Sequence, residues 1–262
     1  MSWRGDNFDH HLPAWVKSLG GWLNDVADFC YPGICPACRA VCESGHELCP
    51  DCDEQIAALA QNPACFMCGL SLSYANAPCP NCAGRGVAHY ERIIRLGKFD
   101  DPIRPLIHQL KFHRVSNVGE FLAERLLAQD HVQSLLIEAD CLLPVPLHGL
   151  RHFSRGYNQA EVIARRISRA TDVPVVQAAA RVRDTHPQSH LHSRAERMAN
   201  LRDAFELRDE KQIKGRHVIV VDDVMTTGAT LRTLARALRP AKPASLSALV
   251  VAVAERDGRP VK

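Results

Sequence analysis

The 262-residue sequence lacks any apolar run close to the roughly 20 residues that a membrane-spanning helix needs. Its N-terminus also lacks the charged-then-apolar layout of a secretory signal. The apolar fraction of 46% and the charged fraction of 23% are ordinary for a globular protein. We therefore expect a cytoplasmic protein without a membrane span.

Two common phosphate-binding signatures are missing as well. The pattern G-x-x-x-x-G-K-[ST] does not occur, which argues against a Walker loop. The pattern G-x-G-x-x-G does not occur either, which argues against a dinucleotide fold of the usual kind. If the chain binds a phosphate, it must use another kind of loop.

Basic side chains are scarce between residues 31 and 89, where Arg39 and Arg85 face five acidic residues. From residue 90 onward, 28 Lys and Arg stand against 20 Asp and Glu. This excess predicts that the C-terminal two-thirds meets any anionic partner, although proteins that bind no polymer often carry a similar excess. The candidate contacts for a nucleic acid are Lys98, Lys111, Arg114, Arg151, Arg155, Arg165, Arg166 and Arg169, with Phe99, Phe112, Phe153 and Tyr157 as the few aromatic residues available for stacking.

Cysteine, by contrast, is abundant, and eight of the eleven cysteines form a repeat. The block C-x2-C-x10-C-x2-C occurs twice with a shift of 30 residues: Cys35, Cys38, Cys49 and Cys52, then Cys65, Cys68, Cys79 and Cys82. Paired C-x2-C turns suit tetrahedral zinc with no open position, so we expect one or two structural zinc sites. Disulfides are the alternative, and a cytoplasmic location argues against them. Spacing leaves open whether each zinc binds within one block or across both, and Cys42 could compete as a ligand in the first block.

The remaining sequence alternates strand and helix patterns, which predicts an α/β fold with a parallel sheet flanked by helices. The predicted strands are 90–97, 140–147, 173–177, 179–183, 217–223 and 245–254, and the predicted helices are 100–113, 117–129, 158–170 and 228–240. We divide the chain into an N-terminal amphipathic helix (1–29), a double zinc ribbon (30–88) and a larger α/β domain (89–262).

The strongest predicted strand ends in two adjacent acids, Asp222 and Asp223. The loop Met225–Thr230 follows, and a helix follows the loop. A helix N-terminus offers free N–H groups and a positive dipole end, and the threonines add hydroxyl donors, so this loop suits a phosphate. Carboxylates accept hydrogen bonds from a ribose diol or hold Mg²⁺. Together these groups predict a site for a ribose 5-phosphate.

The stretch "VIVVDDVMTTGAT" closely resembles the signature loop of type I phosphoribosyltransferases. The cysteine blocks, "LIHQLKFH", "LLPVPLHGLRHFSRGYNQA" and "RVRDTHPQSHLHSRAERMANLRDAF" extend the likeness, so residues 30–255 are similar to the competence protein ComF family. This resemblance implies the type I phosphoribosyltransferase fold. It also implies phosphoribosyl pyrophosphate (PRPP) with Mg²⁺ as ligand and a role in DNA uptake during natural transformation.

The resemblance also implies residue roles. The catalytic pair is Asp222 and Asp223, and the loop for the 5-phosphate is Val224, Met225, Thr226, Thr227, Gly228, Ala229 and Thr230. The side for pyrophosphate and Mg²⁺ is Val145, Pro146, Leu147, His148, Arg155, Asn158 and Gln159. The mobile loop that covers the site is Arg181, Arg183, Thr185, Gln188, Arg197 and Asn200.

Three functions stay open at this stage. The first is a PRPP-dependent phosphoribosyltransferase with an unknown acceptor, acting in DNA uptake. The second is a non-catalytic module that binds single-stranded DNA or serves as a protein adaptor, with the zinc ribbons contacting a DNA-uptake helicase or processing protein. The third is a nucleobase-salvage phosphoribosyltransferase.

Overall fold

The computed structural model describes residues 33–42, 48–112, 116–149, 156–183 and 204–255. The predicted N-terminal helix (1–29) lies outside these residues. The strands are β1 (Gly33–Ile34), β2 (Val41–Cys42), β3 (Arg92–Lys98), β4 (Cys141–Pro144), β5 (Ala179–Arg181), β6 (Phe205–Leu207), β7 (His217–Met225) and β8 (Ser245–Val253). The α-helices are α1 (Pro50–Gln61), α2 (Ile103–Phe112), α3 (Ser116–Leu127), α4 (Asp130–Ile137), α5 (Gln159–Thr171) and α6 (Ala229–Leu238).

A four-stranded parallel sheet with the order β3-β8-β7-β4 forms the centre of the molecule. Beyond β4, the sheet is extended by a single parallel bridge between Leu142 and Val175. β7 and β8 are nearly continuous apolar runs, as expected for strands buried on both faces. The predicted parallel sheet is therefore confirmed.

Each face of the sheet is covered by its own hydrophobic layer. Alternate residues of β7 point to opposite faces, so Ile219 packs into one layer and Val220 into the other. Helices α1 to α5 cover the first face. Helix α6, the β5–β6 hairpin and the second cysteine block cover the other.

The two helical connections that leave β4 and β7 lie on opposite faces. Helix α5 follows β4 and buries Ile163 and Ile167 in the first layer. Helix α6 follows β7 and buries Leu231 and Leu234 in the second layer. In open α/β sheets, ligands bind beyond the carboxyl ends of two neighbouring strands whose following helices lie on opposite faces of the sheet. The fold therefore predicts a ligand site in the crevice between the carboxyl ends of β4 and β7.

Among the described residues, no helix is both long enough and apolar enough to cross a membrane.

Candidate functional site

The acidic pair lies at the carboxyl end of β7, beside the crevice. The backbone N–H of Asp223 donates to Asp222 Oδ1 at 2.9 Å, which fixes the first carboxylate against the strand. Burial raises the pKa of Asp222 to about 7, and the charge of Asp223 adds to this effect. The Asp223 N–H, Lys111 and Arg181 act in the opposite direction. The pair is a concentrated negative site that needs cations or hydroxyl donors around it.

Two cations balance this pair, and they come from different elements. Lys111, in the last turn of α2, places its Nζ 3.0 Å from Asp223 Oδ2. Arg181, at the end of β5, stacks its guanidinium 5.6 Å from the centre of the Phe205 ring, and its charge lowers the pKa of Asp222. The site therefore combines two carboxylates with two fixed cations.

The loop after β7 has the geometry of an anion site. Gly228 adopts a left-handed conformation (φ 67°) and is the N-cap of α6, so the chain turns sharply before the helix begins. The Arg232 guanidinium donates to the carbonyl of Thr227 and closes the turn from the helix side. The hydroxyl Oγ1 of Thr227 is buried without a hydrogen-bond partner among the described residues. Such a hydroxyl is costly unless a ligand supplies its partner.

The segment after β4 faces the same crevice. The backbone N–H of Val145 donates to Val221 O at 2.9 Å, so the segment from Val145 to His148 leaves the sheet beside the acidic pair. Asn158 Nδ2 donates to Val145 O at 3.0 Å, and its Oδ1 caps α5 by accepting from Ala160 N. Asn158 thus holds the two elements together, which is a structural role that the sequence alone did not indicate.

The predicted site residues divide into three groups. Asp222, Asp223, the loop Val224–Thr230, the segment 145–148 and Asn158 lie at the carboxyl ends of β4 and β7, and Arg181 is near enough to lower the pKa of Asp222. Gln159 is buried in the first turn of α5, and Arg183 is exposed beyond the end of β5. The remaining predictions lie outside the described residues: Arg155, Thr185, Gln188, Arg197 and Asn200.

The cysteines form two compact clusters, one from each block. All four Sγ atoms of each block lie within 4.8 Å of one another. The Sγ–Sγ distances are 3.6 Å for Cys38–Cys49, 3.7 Å for Cys65–Cys82 and 3.6 Å for Cys68–Cys79. Sulfurs around a tetrahedral zinc with bonds of about 2.3 Å are about 3.8 Å apart, whereas a disulfide needs about 2.05 Å. The clusters fit zinc, each within a single block, and Cys42 belongs to neither.

The sequence repeat is also a backbone repeat. The pairing of Ile34 with Val41 recurs 30 residues later as the bridge between Ala64 and Ser71. The bond from Arg39 N to Cys35 O (2.8 Å) likewise recurs from Gly69 N to Cys65 O (2.7 Å). Two copies of one ribbon therefore follow each other along the chain.

One thiol in each cluster ionises easily. Burial opposes ionisation of Cys35 and Cys82, but backbone N–H groups outweigh it, chiefly those of Cys49 and Gly86 respectively. The pKa of Cys35 falls to about 6 and that of Cys82 to about 7. In each cluster, backbone N–H groups therefore favour the thiolate form of one cysteine, which is the form that binds a metal.

Among the described residues, the predicted cationic contacts for a nucleic acid pair with carboxylates, whereas Arg114, Arg151, Phe153 and Arg155 lie outside the described residues. On α5, Arg165 pairs with Glu161 at 2.6 Å, Arg166 with Glu124 at 2.9 Å and Arg169 with Glu120 at 2.7 Å. Lys98 pairs with Glu255 at 3.5 Å. The α5 arginines therefore pair with carboxylates of α5 and α3, which lowers the net positive charge of this surface, although Arg165 and Arg169 stay more than half exposed.

Two family models match separate parts of the chain. The double zinc ribbon domain family matches residues 26–83, and the phosphoribosyl transferase domain family matches residues 122–262. "DNA utilization protein YhgH" of Escherichia coli O6:H1 is 35% identical over 79% of this chain and 91% of its own length. "Competence protein F" of Haemophilus influenzae is 34% identical over 73% of this chain and 84% of its own. The chain belongs to the competence protein ComF family.

The ComF-family chain also matches "Competence protein ComFC" of Bacillus subtilis, with 31% identity over 42% of this chain and 43% of that protein. The double ribbon with its two four-cysteine sites supports structural zinc in this chain. Family membership and the parallel sheet together make it a competence-related protein with a phosphoribosyltransferase domain.

Three residues near the site of this ComF-family chain escaped sequence reasoning. The sequence marks Lys111 only as one of several cations for a nucleic acid, although its position in "LIHQLKFH" is a usable signal. Tyr90 donates to Leu231 O at 3.1 Å, and Val87 packs beside Gly228. No local pattern identifies these two, because each contacts residues some 140 positions away.

Proposed function

We propose that the chain binds PRPP at the crevice between β4 and β7 and transfers its phosphoribosyl group to an acceptor that is not yet identified. The observation that carries the proposal is the acidic pair at the end of β7, followed directly by the left-handed Gly228 and the N-terminus of α6. This arrangement suits a ligand with hydroxyls at one end and a phosphate at the other.

Each group in the crevice then has a part in binding. The 5-phosphate accepts hydrogen bonds from the first N–H groups of α6 and from the unpartnered Thr227 hydroxyl. The ribose hydroxyls donate to Asp222 and Asp223. The pyrophosphate lies along the segment 145–148, where the cations Lys111 and Arg181 limit its repulsion from the acidic pair.

Carboxylate oxygens from Asp222 and Asp223 are the kind of ligand that Mg²⁺ prefers, so these residues would hold the ion directly or through water. When bound, Mg²⁺ neutralises charge on the departing pyrophosphate. The bond between the ribose anomeric carbon and the pyrophosphate oxygen breaks, and the acceptor forms its bond to the same carbon. Asp222 and Asp223 would stabilise the cationic ribose, so catalysis rests on positioning and electrostatics without a covalent enzyme intermediate.

We further propose that this activity serves the use of DNA taken up by the cell. The support is the likeness to proteins named for competence and DNA utilization. The zinc ribbons would contact a DNA-processing protein. The paired arginines of α5 make direct binding of single-stranded DNA the weaker candidate.

The test is calorimetric titration of the full chain with PRPP in the presence of Mg²⁺. We expect saturable one-to-one binding, which the double variant Asp222→Asn, Asp223→Asn loses. Release of pyrophosphate on addition of an acceptor then tests transfer itself. Absence of PRPP binding by the wild-type protein would overturn the proposal.

A further inference from the structure

The second zinc ribbon lies directly behind the phosphate loop. We call the first C-x2-C turn of this ribbon, Cys65–Cys68, the knuckle. Gly69 follows it directly, and the backbone of Gly69 closely approaches the ends of β7 and β8. A methyl group added to its Cα would lie 3.0 Å from Val253 Cγ2 and 3.5 Å from Met225 Cε. The knuckle therefore packs on the last residues of the two central strands, one of which leads into the loop.

Val87 carries this contact from the knuckle to the loop. Its backbone N–H donates to Met67 O at 3.0 Å, which ties Val87 to the same knuckle. Its two methyl groups lie 3.4 and 3.5 Å from the point that a Cβ on Gly228 would occupy. Val87 is 5% exposed, so it fills the space beneath the turn.

Tyr90 makes a second connection, to the first turn of α6. Its hydroxyl donates to Leu231 O at 3.1 Å. Burial raises the pKa of Tyr90, and the charge of Asp222 raises it further, so the hydroxyl keeps its proton. This bond orients the helix turn whose N–H groups face the proposed phosphate.

The ribbon is also anchored to the edge of the sheet. The N–H and hydroxyl of Ser71 each donate to Glu255 Oε1 at 2.8 Å, and Arg95 Nη2 donates to Ser71 Oγ at 2.6 Å. Ile93 N donates to Phe66 O at 2.6 Å. These bonds hold the knuckle against the strands, so a displacement of the knuckle would also displace the strand ends and the loop that follows β7.

The first ribbon has a different location. Cys35, Cys49 and Cys52 pack into the opposite layer, with α1 to α5, and Asp53 pairs with Arg125 of α3 at 2.6 Å. Cys65, Cys68 and Cys82 share their layer with Met225, Ala229 and Leu231. The two zinc sites therefore have the same four-cysteine ligand set, but the second packs in the layer that contains the loop and the first packs in the opposite layer.

We propose that the second zinc ribbon is part of the ribose-phosphate site, with Val87 and Tyr90 as positioning residues that hold the loop and the first turn of α6. Its four-thiolate cluster fixes the knuckle to which Val87 is bonded, and the Tyr90 N–H donates in turn to Val87 O at 3.0 Å. Metal at the second cluster, and not at the first, then sets the affinity for phosphate ligands. This inference rests on the proposed function.

The first test is Tyr90→Phe, with Tyr74→Phe as the matched control. Tyr74 lies in the same ribbon and is 62% exposed, so it undergoes the same chemical change away from the loop. Calorimetry with ribose 5-phosphate and with inorganic phosphate should show binding about five-fold weaker in Tyr90→Phe for both ligands, the equivalent of one hydrogen bond. Zinc content should not change, and the melting temperature should fall by only a few degrees, as expected for the loss of one hydrogen bond. Unchanged affinity in Tyr90→Phe, or an equal loss in Tyr74→Phe, would overturn the inference.

The second test compares Cys79→Ser with Cys49→Ser, which occupy the same place in the two repeats. Each should lose one zinc, measured by metal analysis. Affinity for ribose 5-phosphate should fall at least about ten-fold in the first variant and stay within about two-fold in the second. Equal affinities of Cys79→Ser and Cys49→Ser for ribose 5-phosphate would refute this inference but leave the proposed function standing, provided that wild-type protein binds the ligand. If wild-type protein binds no phosphate ligand, both the inference and the proposed function are refuted. If Cys79→Ser does not fold, Val87→Ala takes its place.

Discussion

Asp222 and Asp223 put two negative charges on adjacent residues at the end of a buried strand. Because burial and Asp223 raise the pKa of Asp222 from its ordinary 3.8 to about 7, the folded state holds its proton more tightly than the unfolded chain does. Stability from this group is therefore present below pH 4 and is lost as the pH rises through about 7. Ionisation of the acidic pair therefore lowers the stability of the fold at neutral pH.

Asp222→Asn should remove this pH dependence. Without ligand, wild-type protein should lose on the order of 2 kcal/mol relative to the variant between pH 5 and pH 8, less than the full pKa shift implies because the two carboxyls are coupled. Urea unfolding of both proteins at the two pH values measures the difference. Parallel pH dependence in the two proteins would contradict the assignment.

Lys111 contacts the acidic pair directly, with its Nζ 3.0 Å from Asp223 Oδ2. Lys111→Met should weaken Mg²⁺–PRPP binding about ten-fold, since an unbalanced acidic pair repels the incoming pyrophosphate. Lys214→Met is the control, because Lys214 is exposed and lies three residues before β7 begins, at the opposite end of that strand from the acidic pair. Calorimetry should find the control close to wild type, and an equal loss in both variants would mean that only net charge matters.

At the scale of elements, the turn between β7 and α6 depends on one backbone conformation. Gly228→Ala should destabilise the protein by about 1 kcal/mol, because its φ of 67° is strained for alanine. The added methyl would also lie 3.3 Å from Arg232 Nη1 and 3.4 Å from Val87, which should displace the loop and weaken phosphate binding.

Gly215→Ala separates these two effects. Gly215 has the same φ of 67°, but a methyl group there would meet no atom within 4 Å. We expect a similar loss of stability by urea unfolding and no loss of phosphate affinity by calorimetry. If both variants bind phosphate equally well, the close packing around Gly228 has no functional role.

The elements that the sequence predicted best are those whose burial pattern is strong. β7, β8, α5 and α6 follow from continuous apolar runs or from helical periodicity. Helix α1 was missed because Cys49 and Cys52 dominated the interpretation of that segment, although Ile56 marks its buried side. Residues 173–177 were predicted as a strand and form only one bridge, at Val175, where the preceding Pro174 has no N–H to donate.

At the scale of the whole molecule, the sequence gives the number of charged residues but does not show which of them form ion pairs with each other. The basic excess after residue 90 suggested a surface for nucleic acid. The three α5 arginines instead meet Glu120, Glu124 and Glu161, two of which belong to another helix. The position of the acidic pair ahead of a turn and a helix N-terminus, by contrast, could be predicted, because the strand, loop and helix are contiguous in the sequence.

Zinc should support the stability of the entire described fold. The two clusters contribute cysteines to both hydrophobic layers, so their loss would loosen both. We expect two zinc ions per chain by metal analysis, and a fall in melting temperature of roughly 10 °C or more after chelation. One zinc per chain, or unfolding that is insensitive to chelator, would contradict this.

The position of the second ribbon also bears on how the protein can be divided experimentally. The change of sequence pattern near residue 88 suggests a natural place to cut, but Met225, Val253 and Ile93 are covered by residues on the far side of that cut. A fragment starting at residue 89 would present these apolar ends to water and would lack Val87 beneath the turn. Such a fragment should therefore aggregate and lack part of the proposed site, so experiments on either part of the protein require the full-length chain.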